Sequence, residues 1–270
     1  DDGDVAESVI TVTSKADGKP EICVNGCVSV DETGGFDTAH GEIVVNYGTD
    51  GAGAVVLTSG PVGLTSHGVP VVVTVSANGQ VATGTANGVT VFTVTLDADG
   101  GGYTFSQKAA LDHPDATDAD DVVSLSFGVT VTDSDGDAAN ANLCVKVRDD
   151  GPEAGPVSVT DTDLGGAVVS GVLPMGYGAD GAGAVALTSG PVGLTSNGVA
   201  VLVTVSATSV VGIANGATVF VLTVDPVTGA YTYQQSEGLD GSPVFGIGYS
   251  VTDDDGDVAE SVITVTSKAD

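Results

Sequence analysis

The sequence predicts an all-β protein built as two tandem sandwiches, and three observations predict it. Helix formers are scarce, while Val, Thr, Gly and Ala dominate the 270 residues. Val/Thr-rich runs are interrupted by Gly and Asp clusters every eight to twelve residues or so, the spacing of short strands joined by turns. The third observation is a duplication. GTDGAGAVVLTSGPVGLTSHGV at 48–69 returns as GADGAGAVALTSGPVGLTSNGV at 178–199, identical at 19 of 22 positions and offset by 130 residues.

The elements follow in chain order. Short strands are expected near 22–30, 42–47 and 54–58. Longer ones are expected from Val69 to Ser76, Val89 to Leu96, Tyr103 to Ser106, Val122 to Thr132 and Ala138 to Val147. In the last of these Leu143, Val145 and Val147 alternate with Cys144, Lys146 and Arg148, a period of two that separates an inward from an outward face. LDADGGGY at 96–103 reads as a hairpin turn, its glycines supplying positive φ. VTVFTVTLDADGGGYTF (89–105) is answered by ATVFVLTVDPVTGAYTY (217–233), and FGVTVTDSDGD (127–137) by GYSVTDDDGD (248–257). The offset falls along the chain, so the second copy lacks loop segments, the largest being the acidic HPDATDADD at 113–121. With about seven to nine strands per copy, two tandem immunoglobulin-like antiparallel β-sandwich domains are expected, at 18–150 and 151–270. Residues 1–17 repeat 254–270 letter for letter, so they read as the last strand of a preceding repeat. That identity, with no initiator Met and no signal peptide, reads as a segment of a longer tandem array. Self-association through exposed sheet edges is a further expectation for residues 1–17.

Composition narrows the partners. Six Lys and Arg against 36 Asp and Glu leave a formal charge of −30. Nucleic acid requires clustered cations to displace phosphate counterions, and an anionic membrane surface repels such a chain. Divalent cations are what this many carboxylates attract. The sequence contains no apolar run long enough to span a bilayer.

The motif with cation chemistry is an Asp ladder before the last strand of each copy: Asp133, Asp135 and Asp137, then Asp253, Asp255 and Asp257. Carboxylates two residues apart in a turn can converge on one hard cation, and two such charges about 5 Å apart repel by roughly 3 kcal/mol without it. Ca2+, which tolerates irregular oxygen cages, fits better than Mg2+. An EF-hand is excluded, because Gly stands at the fourth position and Cys144 or Thr264 at the twelfth. The loop before the last strand lies at the end where the chain enters. One site is therefore expected from Asp149, Asp150, Asp253, Asp255 and Asp257, and its counterpart from Asp17, Asp133, Asp135 and Asp137.

The duplicated GADGAGAVALTSGPVGLTSNGV stretch, the hairpin ending in YTF and the TDSDGD…VRDDGP close resemble the tandem repeats of giant RTX adhesins exported by type I secretion. The resemblance implies extracellular, bacterial cell-surface extender domains that bind calcium, contact neighbouring repeats of their own chain and project an adhesive tip in adhesion or biofilm formation. It implies no enzyme. The residues agree: His67 is replaced by Asn197, His113 aligns with Gly241, and no nucleophile elbow or phosphate loop is present. The competing reading is a calcium-dependent module binding glycans or other adhesin chains through the 113–121 insertion. The Asn25–Gly26 turn suggests that Cys23 approaches Cys27. With Cys144 on an outward face, one disulfide with one free thiol and no disulfide at all both remain open.

Overall fold

A computed structural model describes residues 18–160 and 167–267. Among them no helix occurs, and the strands form two β-sandwiches in tandem. In the first, a six-stranded sheet runs in the order Glu21–Val24, Thr38–Asn46, Gly102–Gln107, Val89–Leu96, Val81–Ala86, Val72–Val75. It faces a four-stranded sheet in the order Cys27–Asp31, Ala138–Arg148, Val122–Asp133, Ala52–Ser59. The second sandwich repeats this plan. Its four-stranded sheet runs Val157–Thr160, Val258–Thr266, Val244–Asp253, Ala182–Leu187. Its five-stranded sheet runs Val168–Val172, Ala230–Gln235, Ala217–Val224, Ser209–Ala214, Leu202–Val205. The described pairings all lie within one sandwich or the other, and each encloses its own apolar cluster.

Alternation explains the cores. Leu143, Val145 and Val147 are fully buried, as are Leu125, Phe127, Val129 and Val131 on the neighbouring strand. Phe127 from one sheet meets Phe92 and Phe105 from the other at centroid distances of 5.8 and 6.5 Å. Phe245 meets Phe220 in the same way at 5.5 Å in the second sandwich. Offset and edge-on aromatic pairs of this kind add to the area they bury.

The expected sandwich fold holds with one addition, and the expected approach of Cys23 to Cys27 is corrected. The sheets are antiparallel except where their first segment joins: Cys27–Asp31 runs parallel to Ala138–Arg148, and Val157–Thr160 parallel to Val258–Thr266. The cause is the Asn25–Gly26 kink, with Gly26 at φ 71°, which hands the chain from one sheet to the other and raises the first sandwich to ten strands in its two main sheets. The same kink separates Cys23 from Cys27. Cys23 lies opposite Val44 in the six-stranded sheet, while Cys27 faces Cys144 in the parallel register and forms the disulfide with it. Cys23 is free and exposed. In the second sandwich Ser158 faces Thr264 at the matching positions, so the parallel pairing forms without a disulfide.

A proline produces the main difference between the two sheets. The nine-residue strand Thr38–Asn46 is continuous, whereas its counterpart breaks at Pro174 into Val168–Val172 and Met175–Gly176. Proline has no N–H for the ladder. The carbonyl of Pro174 instead accepts from the N–H of Gly155 at 2.7 Å.

Candidate metal centre at the sandwich junction

Each Asp ladder is a tight turn closed by its own first carboxylate. Asp133 Oδ1 accepts from the N–H groups of Gly136 and Asp137 at 3.1 and 2.8 Å, and Asp253 Oδ1 from those of Gly256 and Asp257 at the same distances. Gly136 and Gly256 sit at φ 106° and 111°, a conformation that side chains rarely adopt. The turn occupies Oδ1 of the first Asp. It leaves Oδ2 buried and without a hydrogen-bond partner in both copies.

The second ladder meets the end of the first sandwich. Asp149 follows directly on the strand Ala138–Arg148, and its backbone N–H donates to the carbonyl of Asp121. The turn carrying Asp180 packs on the linker, where Ala179 N–H donates to the Asp150 carbonyl at 3.3 Å. Gly178 permits that approach: at φ 69°, any Cβ there would lie 1.8 Å from the Asp150 oxygen. His113 N–H donates to Asp255 Oδ2 at 2.9 Å, and the His67 ring lies 3.1 Å from Asp254.

Carboxylates therefore converge in adjoining groups. One oxygen each from Asp180, Asp253 and Asp255 lie within 4.8 Å of one another, as do oxygens of Asp149, Asp255 and Asp257. Ligand atoms of Glu32, His113 and Asp149 form a third such group. Asp255 is common to the first two and Asp149 to the last two. Eight oxygens on these six carboxylates are buried without a partner: one each on Glu32, Asp149, Asp253 and Asp255, both on Asp180 and both on Asp257. Among the described residues no Lys or Arg forms an ion pair with any of them.

The electrostatics follow from the burial. Desolvation, reinforced by the charge of Asp255 and other neighbours, pushes Asp180 up to about 9. Burial raises Glu32 to about 8 against the hydrogen bonds it accepts from Leu111 and Gln107. Asp253 and Asp257 each rise to about 7, by burial first and then by the acidic neighbours. Burial also raises Asp149. Ionised together, these groups repel, and a divalent cation among them would offset that repulsion. Oxygen donors, several carboxylates and irregular spacing fit Ca2+.

The expected five-residue site is thus rearranged. The structure brings Asp149 to Asp255 and Asp257, and places Asp253 with Asp255 and Asp180. Asp150 stays outside these groups, its carboxylate lying instead against the Thr33 side chain. Asp133, Asp135 and Asp137 form their own group, with Asp135 exposed. Asp17 and residues 1–17 as a whole lie outside the described residues. Sequence reasoning missed Asp180, Glu32, His113 and Asp121. A signal existed for Asp180, since the duplicated loop keeps an Asp at both Asp50 and Asp180. The insertion, read as a solvated or ligand-binding loop, is anchored at both ends into the junction through His113 and Asp121.

No curated protein matches the chain. Solved structures that resemble it include protocadherin gamma B7 extracellular cadherin domains 1–4, at 13% identity and TM-score 0.28, covering 88% of this chain and 48% of that one. Drosophila N-cadherin EC1–3 resembles it at 12% identity and TM-score 0.27, covering 93% and 67%. The chain thus spans about half the length of the first of these. Residues 14–146, the first sandwich and its approach, match the family model described as a domain of unknown function, DUF5801.

Proposed function

We propose that this chain is an extender segment of a secreted bacterial adhesin, in which Ca2+ at the junction carboxylates fixes one sandwich against the next. The reading is carried by the eight partnerless, buried carboxylate oxygens contributed from both sandwiches. Asp149 and Glu32 come from the first, Asp180, Asp253, Asp255 and Asp257 from the second. Bound calcium would supply positive charge there and replace repulsion with shared ligation. Its chemistry is structural, so the chain acts as a spacer and not as an enzyme. The Cys27–Cys144 disulfide suits an oxidising, extracellular setting. The competing reading, a glycan- or chain-binding loop at 113–121, loses support because the ends of that loop are committed to the junction.

Thermal unfolding with small-angle scattering in millimolar calcium and in excess chelator tests the proposal. A site with a dissociation constant near 0.1 mM adds about 1.4 kcal/mol at about 1 mM calcium, and several sites add more. The expected result is melting several degrees higher with calcium, together with a longer, narrower, monomeric particle. Identical melting and shape in both buffers would sink the proposal.

A further inference from the structure

The junction group nearest the first sandwich has a donor set unlike the other two, because it contains an imidazole. We propose that Glu32, His113 and Asp149 bind one divalent transition-metal ion of the zinc class, beside the calcium positions and sharing Asp149 with one of them.

Each of the three residues has one atom held and one atom free. Glu32 Oε1 accepts from Gln107 Nε2 and from the Leu111 N–H, while Oε2 is buried without a partner. Asp149 Oδ1 accepts from the Asp150 N–H at 2.7 Å, while Oδ2 is buried without a partner. His113 Nδ1 lies 2.5 Å from Asp121 Oδ1, while Nε2 is buried without a partner. All three residues are more than nine-tenths buried. A carboxylate accepts only, so in the neutral ring Nδ1 carries the proton and Nε2 presents its lone pair. Carboxylate, imidazole and metal in series is the arrangement that orients ligating histidines and raises their basicity. Gln107 and Leu111 orient Glu32 by donating to Oε1.

The chemistry selects the ion. Calcium takes six to eight oxygens and gains nothing from imidazole. One nitrogen and two carboxylate oxygens provide the three protein ligands of a four-coordinate zinc site. Such an ion would clamp both ends of the 113–121 insertion, which open at His113 and close at Asp121. The second sandwich has Gly241 at the position of His113 and only a short link from there to Val244, so that copy lacks the imidazole at the matching position.

The test is zinc titration calorimetry on the whole chain carrying Cys23→Ser, which removes the exposed thiol, in saturating calcium and again without calcium. One Zn2+ per chain is expected under both conditions. His113→Gln should weaken it about 100-fold and Asp121→Asn about 10- to 100-fold, while His67→Asn leaves it unchanged. X-ray absorption on the zinc-loaded chain with His113 intact guards against misfolded variants: one imidazole with oxygen neighbours is expected. Zinc that calcium displaces, zinc binding indifferent to His113→Gln, or a shell without imidazole would each overturn the proposal. In the last case Glu32 and His113 satisfy each other through a proton shared between Oε2 and Nε2. Calcium-dependent melting is a separate readout, so either reading can fail while the other stands.

Discussion

The two Asp ladders have the same turn, the same hydrogen bonds and the same glycine conformation, yet their surroundings differ. Asp135 is exposed, and among the described residues Asp133, Asp135 and Asp137 converge only on one another. Asp255 is half-buried, and its ladder is joined by Asp149 and Asp180. The carboxylates that match across the copies make the same point. Asp50 accepts hydrogen bonds from the Gly18 N–H and the Thr49 hydroxyl, whereas Asp180 is 1% exposed with neither oxygen partnered. The ladder turn is therefore a local property of its sequence, and the buried acidic cluster is a property of the junction. A DSDGD-type motif prepares one wall of a site; Asp180 of the same sandwich and Asp149 of the adjoining one complete it.

The largest expected effect separates those two levels by pH. In chelator, Asp180, Glu32, Asp253 and Asp257 hold protons more tightly folded than unfolded, with folded values of about 9, 8, 7 and 7. Stability from such raised groups is fully present below their unfolded values near 4 and is lost as pH rises through 7 to 9. Chelated protein should therefore melt progressively lower from pH 5 to pH 9, with amide exchange at 178–181 and 253–257 accelerating. Saturating calcium should remove that slope. A chelated junction indifferent to pH would break the comparison at its electrostatic root.

The next effect compares the sandwiches themselves. Reducing Cys27–Cys144 opens a loop with a sequence separation of 117, for which about 2–4 kcal/mol is typical. The second sandwich holds the same parallel pairing with Ser158 and Thr264. Reductant should lower one calorimetric transition and leave the other in place. Equal movement of both would mean that the sandwiches unfold as one unit.

What the sequence made legible follows the same division. Period-two alternation and duplication placed most of the strands, because each depends on local pattern: Val89–Leu96 falls where expected, and the strands from Tyr103, Val122 and Ala138 match within a residue at each end. The single strand expected from Val69 to Ser76 instead divides into Val69–Pro70 and Val72–Val75, in different sheets. The ladders were legible because their turn chemistry lies within five residues. Asp149 was reachable by topology, since a linker must enter near the loop before the last strand. Glu32 and His113 were not, because they come from a divergent segment and from an insertion, and only the folded arrangement brings them to Asp149. The Cys27–Cys144 pairing was hidden for a similar reason. It depends on a parallel register created by a change of sheet at Gly26, and local turn chemistry alone favoured Cys23.

Single carboxylates sharpen the comparison further. Asp255 belongs to two of the junction groups, so Asp255→Asn should cut calcium affinity by about 10-fold or more while raising chelated stability by about 1–3 kcal/mol, through lost repulsion. Asp135→Asn, in the exposed ladder, should change chelated melting far less. Opposite signs with and without calcium for Asp255→Asn, read by melting in both buffers, would identify a residue retained for a cation and not for the apo fold. A variant destabilised in chelator would mean that the hydrogen bond from the His113 N–H outweighs repulsion.

The smallest effect tests how the sandwiches touch outside the cavity. His67 and Asp254 meet at 3.1 Å, but their side chains are 49% and 43% exposed. Exposed pairs of this kind contribute about 0–1 kcal/mol, weakened by salt. The second sandwich has Asn197 where the first has His67, in the same positive-φ position, so the backbone accepts asparagine there. His67→Asn should shift melting by less than a degree or two in calcium and leave the scattering profile unchanged. If it instead bent or shortened the particle, orientation between the sandwiches would rest on this surface contact, and the buried carboxylates would be adding stability without setting direction.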